Sequence, residues 1–299
     1  MKSFTQRPDQ FFNMLLCAFA LLVMSDAQAG LQEEVIRLRA QVTNMYGKVV
    51  EQEFVVTVFA GDATRDLRKP IAIVLHGRAA DADKRAAMGR ATYKVNAQWL
   101  AEQGFLVAVP TRIGYGVSGG EDVEDSGSCG RKYYPPAYQA AADQTLLVLK
   151  HLQQRADVDK DSAVVIGQSF GGATAITLAA MNPVGLKAVI NFAGGGGGNP
   201  ATRAGDPCAP SSIEQMFAKY GQTARIPSLW IYTENDQWMG AEYPVQWHRA
   251  FVNAGGVGEF VQFGPNGKDG HGLFTQAPAV WRPRVRSFFE QHGLLQRGN

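Results

Sequence analysis

The sequence predicts one domain of the α/β class, built on a mostly parallel β-sheet that is covered by helices on both faces. Short runs of apolar, β-branched residues recur along the chain, as expected of strands that are buried on both sides. Helix-compatible stretches separate these runs, and such alternation is typical of parallel strands joined by crossover helices. A chain of 299 residues is also long enough to bury a large core without help from a metal.

Two strands open the predicted domain and differ from those that follow. EEVIRLRAQV (33–42) and KVVEQEFVVTVFA (48–60) are rich in β-branched residues and are joined around Asn44 to Gly47. The later strands are shorter and more apolar, and they are predicted at 69–77, 105–111, 162–167, 186–194, 227–236 and 258–264. Helices are predicted at 91–104, 138–155, 172–182 and 277–293. The irregular stretch 195–226 is expected to be a small loop insertion that covers the carboxyl ends of the strands, where a site would lie.

The charge balance indicates a small-molecule partner. The chain carries 29 basic and 27 acidic side chains, which gives a formal net charge of +2. Such a balance gives no reason to expect a nucleic acid or a polyanionic partner. A small-molecule substrate is therefore the default expectation. We also expect a monomer or weak homo-oligomer.

The first 29 residues have the layout of a secretory signal peptide. Lys2 and Arg7 precede the apolar run FFNMLLCAFALLVM, and AQA at 27–29 places small residues at the positions of a cleavage site. A membrane anchor is the alternative, but the apolar run is shorter than the ~20 residues that a spanning helix needs. The sequence predicts cleavage after Ala29, a mature domain over 30–299, and export to the periplasm or the medium with no remaining membrane attachment.

Two cysteines remain after the predicted cleavage, because Cys17 leaves with the signal peptide. In an exported chain, Cys129 and Cys208 are candidates for one disulfide. The alternative is two separate buried thiols. A disulfide would tie together two loops that follow different strands and restrict how far a cover over the strand ends can open, which favours a small or medium substrate over a folded polymer.

Ser169 is the candidate nucleophile. Ligands of parallel α/β sheets bind beyond the carboxyl ends of the strands. The strand 162–167 feeds Gly167-Gln-Ser169-Phe-Gly171, and a helix of small residues follows. This strand-turn-helix context is typical of a nucleophile elbow, in which glycines accommodate a strained serine backbone. A structural serine in a tight turn is the alternative.

His271 and Asp236 are the candidate base and its orienting carboxylate. A serine hydroxyl needs a base within hydrogen-bond reach, and the base needs a carboxylate. His271 lies in a glycine-rich loop after the last strand, and Asp236 follows the strand 227–236. Glu234 and Asp269 are competitors for the carboxylate role. The other histidines end an earlier strand or belong to apparent helices, and they are His76, His151, His248 and His292.

Two backbone amides are candidates for the oxyanion hole, which must be in place before the reaction begins. Phe170 follows the nucleophile, and Arg78 lies in LHGRA after the strand 69–77. Aromatic residues near strand ends are candidates for the walls of a substrate pocket, and they are Tyr115, Phe170, Trp238 and Phe274.

The segments IVLHGRAA, VPTRIGYGVSGG, VVIGQSFGGATA, IYTENDQW and GHGLF occur in the order and spacing of the α/β-hydrolase superfamily. Over about residues 50–293 the chain resembles dienelactone-hydrolase-like members and secreted serine esterases or S9-type peptidases. The resemblance implies an α/β-hydrolase fold with an eight-stranded sheet, hydrolysis through an acyl-enzyme, and neither cofactor nor metal. True dienelactone hydrolases have a cysteine at the nucleophile position, so Ser169 sets this chain apart from that activity.

These observations favour an exported serine hydrolase that cleaves carboxylic esters. A peptidase, amidase or acyltransferase with the same Ser169, Asp236 and His271 is an open alternative, because all of these enzymes form the same acyl-enzyme. A binding protein that keeps the hydrolase shell without turnover is a further alternative from another class.

Overall fold

The structure is a computed structural model and describes residues 1, 31–61 and 68–295. Eight strands form one sheet. In chain order the strands are β1 (Gln32–Thr43), β2 (Val49–Ala60), β3 (Lys69–Leu75), β4 (Leu106–Thr111), β5 (Val158–Gln168), β6 (Leu186–Phe192), β7 (Ser228–Thr233) and β8 (Gly258–Phe263).

The sheet has the order β1-β2-β4-β3-β5-β6-β7-β8. The hairpin of β1 and β2 is antiparallel, and β2 also runs antiparallel to β4. Every other neighbouring pair is parallel. The six parallel strands therefore end at the same edge of the sheet, which gathers the loops that carry the candidate site residues. The predicted mostly parallel sheet is confirmed.

Helices cover both faces of this sheet. They are α1 (Ala82–Ala86), α2 (Lys94–Glu102), α3 (Pro135–Leu152), α4 (Phe170–Ala180), α5 (Pro210–Gly221), α6 (Tyr243–Asn253), α7 (Leu273–Gln276) and α8 (Pro278–Gln291). One apolar cluster joins the sheet to α3, α4, α5 and α6, and a second joins it to α2, α7 and α8. The apolar residues of β3 and β4 alternate between the two clusters, as expected of strands that are buried on both faces.

The segment 195–226 differs from the predicted loop insertion, because its second half forms the regular helix α5. Ile213, Met216 and Phe217 are buried and lie on one helical face. Pro210 looks like a loop signal in the sequence, yet proline is well tolerated in the first turn of a helix. The same holds for α6, which has Pro244 in its first turn and was not among the predicted helices.

The predicted signal peptide, residues 1–29, lies outside the described residues apart from Met1. In the part of the chain that the structure describes, no helix has the length and apolar character needed to cross a membrane.

Candidate active site

Ser169 occupies the turn between β5 and α4. Its backbone has φ 56° and ψ −121°, a conformation that residues other than glycine rarely adopt. Its N–H donates to the carbonyl of Phe192 at 2.8 Å, so the neighbouring strand holds the turn. A Cβ added to Gly171 would lie 2.5 Å from the carbonyl oxygen of Leu75, so only glycine lets α4 approach the end of β3 this closely. The predicted strand-turn-helix context is present.

His271 and Asp236 are hydrogen-bonded at the carboxyl edge of the sheet. The Nδ1 atom of His271 lies 3.1 Å from Oδ1 and 3.0 Å from Oδ2 of the Asp236 carboxylate. Asp236 is only 2 % exposed, and its Oδ1 also accepts from the backbone N–H groups of Trp238 and Met239. The carboxylate is fixed from three directions, and the imidazole therefore presents its Nε2 away from Asp236.

Ser169 and His271 face one cavity. This cavity, called here the His271 cavity, has a volume of about 450 Å³ and is also lined by Met88, Tyr93 and Gln168. Among the described residues, no hydrogen bond joins the Ser169 hydroxyl to the His271 ring. Hydrogen bonds between catalytic groups are often long without substrate and shorten in the Michaelis complex.

A second cavity adjoins the first and shares Arg78, Ser169 and Trp238 with it. This cavity, called here the disulfide cavity, has a volume of about 230 Å³. Its wall includes Cys129 and Cys208, which form a disulfide with 5.1 Å between their Cα atoms. The glycines 195–198 supply another part of the wall with backbone rather than side chains. Trp238 lines both cavities and stacks on His271 with 5.2 Å between ring centroids.

Two residues that the sequence did not single out hold the loop of His271. Gln168, which precedes the nucleophile, donates from Nε2 to the His271 carbonyl at 3.3 Å. The Tyr93 hydroxyl donates to Gln168 Oε1 at 3.1 Å, and burial raises the pKa of Tyr93 to about 12. Because this phenol stays protonated at neutral pH, the chain of hydrogen bonds from Tyr93, which directly precedes α2, to the His271 loop persists.

Asp269, a competitor for the carboxylate role, has a different task in the structure. Its Oδ1 accepts from the backbone N–H groups of His271 and Gln237, and its Oδ2 accepts from Trp238 Nε1. The side chain therefore caps the short turn that carries His271 rather than meeting the imidazole. Glu234, the other competitor, is exposed, and among the described residues it forms no hydrogen bond or ion pair with His271.

The turn that carries Arg78 lies beside the nucleophile. A Cβ added to Gly77 would lie 3.3 Å from the Cβ of Ser169, which shows how closely the two turns approach. Phe170 is the first residue of α4, so its N–H has no partner within the helix. The two predicted oxyanion amides thus belong to turns that adjoin at Ser169.

A buried ion pair fixes the carbonyl groups of this turn. Arg112 donates to the carbonyl of His76 at 2.8 Å and to that of Gly77 at 3.4 Å. The Arg112 guanidinium is held in turn by Glu124, whose carboxylate also accepts from the Tyr115 hydroxyl at 2.7 Å. The side chains of Arg112 and Glu124 are both fully buried. With its carbonyls held in this way, the turn has a fixed orientation relative to Ser169.

His76 is part of the same scaffold and not a second base. Its Nε2 accepts from the backbone N–H of Arg112 at 3.1 Å, and its Nδ1 lies 2.7 Å from the carbonyl of Gly77. This pairing requires the neutral ring with the proton on Nδ1. Burial, helped by the Arg112 guanidinium, holds the pKa of His76 well below its usual value.

Two residues predicted to line the pocket lie elsewhere. Tyr115 is fully buried, with its hydroxyl bound to Glu124, and it lines neither of the two cavities. Phe274 is also buried, and it packs against Tyr93, Phe192 and Trp281 in the core. Both residues follow strands in the sequence, but the Phe274 ring packs in the apolar core, whereas the Tyr115 ring contacts His76 and Arg112. Phe170 and Trp238 do reach the cavity walls.

The described residues hold no cluster of three or more His, Cys, Asp or Glu side chains that could bind a metal ion.

This fold and these turns define the α/β-hydrolase class. The family model described as "Serine aminopeptidase, S33" matches residues 69–254. The chain therefore belongs to this family of hydrolases. No curated protein is similar enough in sequence to count as a match.

Solved structures with this fold include esterases and peptidases. A provisional dienelactone hydrolase from Klebsiella pneumoniae is 17 % identical with a TM-score of 0.52, over 86 % of this chain and 99 % of the other. The esterase Pf2001 from Pyrococcus furiosus is 15 % identical with a TM-score of 0.56, over 86 % and 90 %. The acylaminoacyl peptidase from Pyrococcus horikoshii is 14 % identical with a TM-score of 0.57, over 89 % and 42 %. At these identities the likeness establishes the fold.

Proposed function

We propose that the protein is an exported serine hydrolase that cleaves carboxylic esters through an acyl-enzyme. The observation that carries the proposal is the placement of the hydrogen-bonded Asp236–His271 pair and the strained Ser169 turn on one cavity. A buried carboxylate that orients a histidine beside a serine at a helix N-terminus is the arrangement that activates a hydroxyl for acyl transfer.

In the first half of the reaction, the Ser169 Oγ attacks the ester carbonyl carbon while His271 Nε2 takes the hydroxyl proton. Asp236 keeps the remaining imidazole proton on Nδ1 and stabilises the positive charge that forms on the ring. The amides of Phe170 and Arg78 donate to the tetrahedral oxyanion. When the intermediate collapses, His271 returns the proton to the departing alkoxide, and the alcohol leaves.

In the second half, water replaces the alcohol. His271 takes a proton from the water as its oxygen attacks the acyl carbon, and a second oxyanion forms at the same two amides. Collapse breaks the bond to Ser169, and the proton passes from His271 to the Ser169 Oγ. The carboxylic acid leaves, and the free enzyme is restored.

The charges around the site favour an ester over the substrate of an aminopeptidase. An aminopeptidase must bind the α-ammonium group of its substrate, and carboxylates are the usual partners of a buried ammonium. Among the described residues, the walls of the two cavities contain the cations Arg78 and Lys132 but no aspartate or glutamate. A positively charged substrate terminus has no partner there.

Export is proposed on two grounds. The N-terminal segment has the charge, the apolar run and the small residues of a signal peptide. The disulfide between Cys129 and Cys208 is of a kind that persists in oxidising compartments. N-terminal sequencing of the exported protein is expected to begin at Gly30, and a sequence that begins at Met1 would contradict cleavage.

The function is tested with short p-nitrophenyl esters and aminoacyl anilides, measured on the protein and on Ser169→Ala. We expect ester turnover that the substitution lowers by several orders of magnitude. Ser169-dependent turnover of anilides alone would favour a peptidase. Ligand binding without turnover of either substrate would favour a binding protein.

A further inference from the structure

The disulfide cavity contains a cation that the proposed reaction does not use. Lys132 lies in its wall together with Arg78, and these are the two charged residues among those that line it. The remaining wall is made mainly of glycine backbone, aromatic rings and the disulfide. A small cavity that adjoins the nucleophile and holds cations without carboxylates is suited to an anion.

Arg78 and Lys132 differ in how far their charges are neutralised. The Arg78 guanidinium forms a two-point ion pair with Asp122, at 2.7 and 2.6 Å. The Lys132 ammonium donates to Ser126 Oγ at 3.2 Å and lies 5.9 Å from the centre of the Tyr134 ring. Within the described ranges, no carboxylate lies within 4.0 Å of it. Lys132 therefore keeps both a charge and free donors.

The surroundings of Lys132 also leave its charge less neutralised than that of Arg78. Burial and the Arg78 charge lower the pKa of Lys132, whereas the Asp125 and Asp122 charges act in the opposite direction and compensate only in part. The charged ammonium is thus poorly compensated by the protein itself. A bound anion would supply the missing counter-charge.

The position of His271 decides which part of an ester enters this cavity. His271 must protonate the departing alkoxide, so the alcohol part lies on the side of the His271 ring. His271 lines the His271 cavity but is not among the residues of the disulfide cavity. The acyl part therefore extends from Ser169 into the disulfide cavity, toward Lys132.

We infer that the disulfide cavity is an acyl-binding site for esters whose acyl chain carries a second, ionised acid group, with Lys132 as the residue that binds this group. The inference rests on the proposed esterase function. In this site the carboxylate accepts hydrogen bonds from the Lys132 ammonium, while the ester carbonyl lies at the amides of Phe170 and Arg78. Lys132 is a specificity residue and takes no part in bond breaking.

The test compares two substrates of equal acyl length, the p-nitrophenyl monoester of adipic acid and p-nitrophenyl hexanoate. The readout is the ratio of their kcat/KM values, corrected for spontaneous hydrolysis. We expect the protein to prefer the adipate ester, and Lys132→Met to lower the ratio roughly ten- to hundredfold, as for a lost hydrogen bond to a charged group. Lys150→Met is the matched control, because Lys150 is exposed on α3 and lines neither cavity.

A second measurement needs no variant. Raising the salt concentration from about 0.05 M to about 1 M screens the attraction and should lower the preference of the unmodified protein for adipate. A preference for hexanoate, or a ratio that Lys132→Met leaves unchanged, would overturn the inference. If hexanoate cleavage depends on Ser169 but adipate is not preferred, the acyl-site inference is wrong while the proposed esterase function stands. If cleavage persists in Ser169→Ala, the proposed serine hydrolase function itself is contradicted.

Discussion

Replacing Glu124 by glutamine perturbs the buried ion pair that holds the turn beside Ser169. The Glu124 carboxylate accepts hydrogen bonds from Arg112 Nε and Nη2 and from the Tyr115 hydroxyl. Glutamine keeps the shape of the side chain but leaves the Arg112 guanidinium charged and fully buried. Loss of one partner of such a pair lowers the free energy of unfolding by about 3–5 kcal/mol.

Urea denaturation measures this loss, with Glu121→Gln as the matched control. Glu121 pairs with Lys48 at 2.9 Å, but the two side chains are 38 % and 62 % exposed. An exposed pair contributes about 0–1 kcal/mol, so the control should change little. We also expect slower ester turnover in Glu124→Gln, because Arg112 no longer holds the carbonyls of His76 and Gly77 firmly. Equal losses of stability in the two variants would refute the reasoning.

Three further predictions concern other parts of the site. Asp236→Asn should lower kcat for esters about 10³- to 10⁴-fold, because the amide favours the wrong tautomer of His271, and a loss below tenfold would contradict the role of Asp236. His76→Gln should remove part of the pH dependence of stability. As the pH falls, His76 takes up its proton in the unfolded state before it does so in the folded state. The unmodified protein therefore loses up to about 1.4 kcal/mol of stability per pH unit below the usual histidine pKa. Urea denaturation from about pH 7 to about pH 5 should therefore show the stability of the unmodified protein falling relative to His76→Gln, and parallel curves would contradict a neutral, buried ring. The disulfide joins two cysteines that are 79 positions apart in the sequence. Replacing Cys129 and Cys208 by serine should therefore lower the free energy of unfolding by roughly 4 kcal/mol, because the unfolded chain is no longer cross-linked. An unchanged urea midpoint would contradict this stabilisation by the disulfide.

The features that the sequence predicts well depend on local patterns. Most of the strands from β3 to β8 contain a short apolar run, and such a run can be identified without knowing its neighbours. The pairing of Asp236 with His271 was also predictable, because residues that follow parallel strands meet at one edge of the sheet. The glycines around Ser169 indicate the tight turn for a similar local reason.

The features that the sequence does not predict depend on contacts between distant segments. Arg112 directly follows the mainly apolar strand β4, which could have marked it as a buried cation, but nothing in the irregular chain after it identifies Glu124 as the partner. Tyr115 and Phe274 look like pocket residues because they follow strands, yet the Tyr115 hydroxyl is bound to the buried Glu124 and the Phe274 ring packs in the core. The charge of Lys132 is visible in the sequence, whereas its position in a cavity wall is not.

Covalent labelling tests the central claim, that Ser169 is an activated nucleophile. The intact protein is treated with a fluorophosphonate and analysed by peptide mass spectrometry, with the urea-denatured protein and His271→Ala as controls. We expect one adduct per chain, located on Ser169 and greatly reduced in both controls, because the hydroxyl is reactive only next to an oriented base. A native protein that hydrolyses esters but stays unlabelled, or is labelled at another residue, would contradict the account.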